Sequence, residues 1–154
     1  MMSGSDFVFN VAKGKIGYYL GLPAASDAIR CLLLKSTGLE ADATLADYDT
    51  VAALLAAAND ECDFTNYARQ ALSTVSWTVD DVNDRADGDA DDISFATAGG
   101  ATNNTIGKLV IYYDPDGTDT DANNVPLTAH DYDETTTGST LNITLPSGGF
   151  VRAA

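Results

Sequence analysis

Positive charge is what this chain most lacks. Eight lysines and arginines stand against 23 aspartates and glutamates, for a formal net charge of -15, with a single histidine besides. Such a surface repels phosphate backbones and anionic lipid, so neither nucleic acid nor a membrane surface is expected as a partner. Long apolar runs are also missing: none approaches the roughly 20 residues of a membrane-spanning helix. The opening MMSGSDFVFN has no basic region leading into an apolar stretch, so it does not read as a secretory signal, and synthesis in the cytoplasm is expected. The two cysteines, Cys31 in IRCLLL and Cys62 in NDECDF, have neither zinc nor redox spacing and are expected as free thiols; a disulfide stays open, because sequence alone does not place their Cα atoms. A phosphate-binding glycine loop, HExxH and GxSxG are all absent, and no enzymatic activity is expected.

What is present suits one globular domain over 1–154. At 45% hydrophobic and 20% charged residues the chain is too apolar for wholesale disorder and long enough to bury a core. FVFNVAKGKIGYYL, residues 7–20, mixes aromatic and β-branched residues with two glycines and reads as an interrupted strand or extended arm within 1–20. Ile29 to Leu34 is apolar almost throughout, the pattern of a strand buried on both faces. In TLADYDTVAALLAAAND, Tyr48, Val51, Ala52, Leu55 and Ala58 recur every three or four residues and predict a helix over about 47–58, with Thr44 and Asp47 at its start and Asn59 as its stop. Beyond Asn66 the period changes to two. Val75, Trp77 and Val79 alternate with polar residues, as do Leu141, Ile143 and Leu145, and KLVIYY forms a compact apolar run. The fold class expected is mainly β, an antiparallel sandwich or partly open barrel with that one short α-helix on one side.

Two acidic stretches invite a metal reading. In DDVNDRADGDADD, NDR can close a turn, after which Asp87, Asp89 and Asp91 alternate with Ala86, Gly88 and Ala90. A period of two spreads these carboxylates along one face of a solvated edge strand or loop, and does not focus them on one point. DPDGTDTD is the better cation candidate: Asp114, Asp116, Asp119 and Asp121 surround Gly117, and hard cations such as calcium take several carboxylate oxygens around a tight turn. The loop lacks EF-hand spacing and a closing glutamate, so solvated aspartates in a turn are the competing reading. His130, beside Asp131, could serve as a base only if a nucleophile came from the Ser- and Thr-bearing loops; a structural histidine is the alternative.

The stretches LLLKSTGLEADATLADYDTVAALLAA, FTNYAR, VNDR, TNNTIGKLVIYYDPD and PLTAHDY, with the end GGFVRAA, together resemble a group of short proteins encoded among the virion structural genes of tailed bacteriophages. The resemblance covers about two thirds of the chain and rests on sequence texture without catalytic motifs. It implies a capsid decoration, or cement, protein on the outside of the head, made in the host bacterial cytoplasm. Its partners would be the major capsid protein and further copies of itself, a trimer being favoured. Phe7, Val8 and Phe9 near one end and Phe150 and Val151 near the other are then the expected interface residues, apolar groups whose burial is worth about 1.5 to 3 kcal/mol each. A tail or head-to-tail connector protein and a calcium-dependent soluble binding module are the alternatives.

Overall fold

A computed structural model describes residues 6–24 and 26–154. Its centre is an antiparallel five-stranded sheet in the order β1-β8-β7-β2-β3, formed by β1 (Phe7–Val8), β2 (Ala28–Lys35), β3 (Gln70–Ala71), β7 (Thr105–Asp114) and β8 (Val125–Thr135). The apolar runs read from the sequence become β2 and β7, and they pair side by side from Ala28↔Asp114 to Lys35↔Ile106. Alternation then sorts their side chains: Ile29, Cys31, Leu33, Leu109, Ile111 and Tyr113 enter one core layer, and Leu32, Leu34, Val110 and Tyr112 the other. Gly107 is the residue that breaks register between Leu34 and Lys35. A Cβ there would stand 2.8 Å from Ser36 Cα, so the bulge needs glycine.

Each face of the sheet has its own cover. One carries α2 (Asp42–Leu45) and α3 (Val51–Ala56), which insert Leu45, Val51 and Leu54 beside Phe9. On the other lie α1 (Ile16–Leu20), the pair β6 (Ile93–Phe95) with β9 (Leu141–Ile143), and a three-stranded sheet, β10-β5-β4. That smaller sheet consists of β4 (Ser76–Asp80), β5 (Arg85–Asp89) and β10 (Val151–Ala153). The chain is therefore mainly β and sandwich-like, as the period of two predicts.

Three local expectations need correction. The expected helix over 47–58 shrinks to α3, capped by Thr50, whose hydroxyl accepts from Ala53 N at 3.1 Å, and Thr44 belongs to the separate α2. The cause is tertiary: Val51 N donates to Asn124 O and Ala52 N to Asp121 O, so the loop after β7 takes amides that a longer helix would have used internally. Asn59 does mark the end, its Nδ2 donating to Leu54 O at 3.2 Å. The expected N-terminal arm is extended only as far as β1, and residues 1–5 of it lie outside the described part. After β1 come a single 3-10 turn at Asn10–Ala12 and then α1, with Phe9, Ala12, Ile16 and Leu20 buried. Gly14 supplies the left-handed turn (φ 74°) between them, and Gly17 lies where a Cβ would be 2.6 Å from Trp77 Nε1. Third, β5 is not an edge but the middle strand of its sheet.

Gly88, at the centre of β5, is wedged between layers: a Cβ would meet Leu20 Cδ1 at 2.5 Å and Val151 Cγ1 at 2.7 Å. Gly88→Ala should lower stability by about 1 to 3 kcal/mol through overpacking. Urea denaturation measures this, and an unchanged midpoint would mean that β10 and α1 do not close on β5 as described.

Candidate functional site

The loop 114–121 follows from the end of β7, where Asp114 is fully buried and must find donors. Its Oδ2 accepts from Arg30 Nε at 2.8 Å and from Asp119 N at 3.2 Å; its Oδ1 accepts from Gly117 N at 2.9 Å. Gly117, at φ 73°, lies so close to Ser26 O that a Cβ would sit 2.2 Å away. Asp116 turns to Thr118, whose hydroxyl and amide hold its carboxyl below the usual range. Asp119 Oδ1 accepts from Tyr112 Oη at 2.8 Å, Asn124 Nδ2 at 2.7 Å and Arg69 at 3.2 Å, and Asp121 accepts from the same Arg69 nitrogen at 2.5 Å. Arg69 also makes a two-pronged contact with Glu61, at 2.8 and 2.7 Å. The four candidate calcium ligands are thus each engaged by donors of the protein itself, Asp119 and Asp121 sharing one of them. A guanidinium already stands between Asp119 and Asp121, and among the described residues no group of three or more His, Cys, Asp or Glu is arranged to hold a metal ion.

Burial opposes the charge on Arg69, yet its bonds to Glu61 and Asp121 hold its pKa above the ordinary value. The side chain is only 14% exposed, so removing it strands carboxylates in a poorly hydrated place. Arg69→Gln should cost about 1 to 3 kcal/mol at neutral pH. A loss of only a few tenths in urea titration would show that solvent already screens this network.

His130 lies in β8 and is 1% exposed. Its Nε2 is 2.9 Å from Thr128 Oγ1, on the same strand, and its Nδ1 is 3.3 Å from Asp6 Oδ2 without the alignment of a hydrogen bond. Hydroxyl, imidazole and carboxylate therefore come in the order a nucleophilic site would use, with the hydroxyl supplied by β8 itself and not by a loop. Thr128 is, however, also 1% exposed, and its Oγ1 is bound to the imidazole within a packed strand. A cavity of about 600 Å³ opens beside His130, between β1 and the segment leading to β10. Burial lowers the histidine's pKa, and Lys108 adds to that, while Asp6 and Asp131 pull the other way. The folded state thus takes up this proton less readily than the unfolded chain. Stability attributable to His130 is intact above about pH 6.5 and declines as pH falls below it. The wild-type protein should lose more stability between pH 7 and pH 5 than His130→Asn does; equal pH slopes for the two would contradict neutral burial.

The carboxylates of the opening acidic stretch are also tied down. Asp87 is half-buried and accepts from Arg152 Nε at 2.6 Å, which holds its pKa low; Asp91 accepts from the hydroxyls of Ser73 and Thr74. The terminal apolar residues turn inward. Phe9 is completely buried and Phe150 is 5% exposed, so both serve the chain's own core and not an outer contact as expected. Phe7 is half-buried with Lys108 Nζ 5.6 Å from its ring centre. Val8 and Val151 remain at the surface as the two walls of a groove of about 380 Å³ between β1 and β10, which Ile16 and Trp77 also line. Cys31 and Cys62 are free and buried, and burial pushes each thiol up to about 12. Sequence reasoning missed this groove and Lys13 at its rim. The signal was there in AKGKIG, where two lysines adjoin apolar residues in an otherwise acidic chain. Compared with protein families, with curated proteins and with solved structures, the chain matches none.

Proposed function

We propose that the protein is a structural component of a tailed-phage virion, a decoration protein that binds the outer face of the head and strengthens the shell. The observation that carries this reading is the distribution of charge. Six of the eight cations, Arg30, Lys35, Arg69, Arg85, Lys108 and Arg152, are held in ion pairs with the chain's own carboxylates, leaving the rest of the acidic excess outward. An anionic exterior suits the outside of a particle, away from packaged DNA. Strands near both ends, β1 and β10, are fixed to the two sheets, which suits a rigid module bound in many copies. Modest contacts repeated over a symmetric shell add up through avidity. The resemblance in sequence texture supplies the viral setting.

Electron microscopy of purified virions, with antibody labelling of this chain, tests the reading. Labelled density is expected on the outer capsid surface, and heads lacking the protein should break at lower temperature. Label confined to the neck or tail would favour a connector, and absence from particles would overturn the proposal.

A further inference from the structure

Six cations are paired internally; the other two are not. Lys13 and Lys15 are exposed and take part in no ion pair among the described residues, Lys13 meeting only the amide oxygen of Asn10. Lys13 lines the groove between β1 and β10, and Lys15 is next in the chain to Ile16, which also lines it. Otherwise the groove is walled mainly by Val8, Trp77 and Val151, with Arg152, already paired to Asp87, also in its lining. An apolar slot with Lys13 in its lining and Lys15 close by, the two cations without an ion pair among the described residues, calls for an occupant with an apolar tip and negative flanks.

The molecule carries such an element. The turn between β4 and β5 presents Val82 at 90% exposure, with Val79 at 64%, the two most exposed large aliphatic residues described. Asp81 and Asp84 flank Val82, both exposed and in no ion pair among the described residues. The tip is preformed: Asp80 accepts from the amides of Val82 and Asn83 and from Asn83 Nδ2. A rigid tip loses little conformational entropy on docking. We infer that the β4–β5 tip of one copy docks into the β1–β10 groove of another, Val82 entering the slot and Asp81 and Asp84 meeting Lys13 and Lys15. Tip and groove are different surfaces of one chain, so the contact is head-to-tail and propagates to a closed ring or a row. It does not depend on where in a virion the protein sits.

Sedimentation velocity on the full chain tests this. The average mass should rise with protein concentration and fall as salt is raised from about 0.05 to about 0.5 M, because exposed charges are screened. Val82→Asp should stay monomeric. So should Lys13→Glu/Lys15→Glu, and so should Asp81→Lys/Asp84→Asn, where asparagine respects the left-handed backbone at Asp84 (φ 50°). Mixing the last two variants restores opposite charges at each contact and should restore association in alternating one-to-one complexes. All the substitutions are at exposed positions, and unchanged circular dichroism would confirm folding. A wild-type protein that remains monomeric at every concentration, variants that associate as well as wild type, or a mixture that fails to combine would each overturn the inference.

Discussion

A strand covered on both faces leaves no polar group free to find water, and β7 is such a strand. From Ile106 to Asp114 every residue but Gly107 is buried, with β2 on one side, β8 on the other, helices above and smaller sheets below. Its backbone is satisfied by two neighbouring ladders. Its side chains therefore have to be apolar or individually partnered, and burial of each large apolar one contributes about 1.5 to 3 kcal/mol.

The two charged residues of β7 show how that requirement spreads through the fold. Lys108 is 2% exposed and lies between Asp42, at the start of α2, and Asp131 of β8, which draws helix and sheet together. Asp114 is matched by Arg30 on β2 and then gathers the amides of the following loop. That loop in turn supplies the carbonyls that start α3 and the carboxylates that hold Arg69. Aspartates that look like metal ligands in one dimension are thus consumed as braces. A buried pair of this kind adds little net stability over an apolar pair, but breaking it is costly, which favours one arrangement of the surrounding elements.

The parts of this architecture set by local pattern were legible in the sequence. β2 and β7 declared themselves as largely apolar runs, the hairpin of β4 and β5 as alternation around an Asp- and Asn-rich turn, and the stop at Asn59 as a polar end to an alanine-rich segment. What stayed hidden depended on distant partners. The start of α3 is set by carbonyls some 70 residues away in sequence, at Asp121 and Asn124. α1 was hidden because Gly14 and Gly17 read as strand interruptions, although Ala12, Ile16 and Leu20 carry a spacing of four. Phe9 and Phe150 were correctly read as needing cover, but whether a core or another molecule provides it is a question of topology. The site was less legible still: a groove made by Val8 and Val151 exists only once residues 143 apart in sequence stand opposite one another.

The five-stranded sheet is the foundation and the β10-β5-β4 sheet a satellite left available for contacts. Native-state hydrogen exchange tests that order directly. Amides of Leu109, Val110 and Ile111 should exchange only through global unfolding, with opening free energies equal to that from urea denaturation, whereas those of β4 and β5 should exchange through smaller openings. If β4 and β5 proved as protected as β7, or if β7 exchanged through local opening, the doubly covered strand would not be what the rest of the fold depends on.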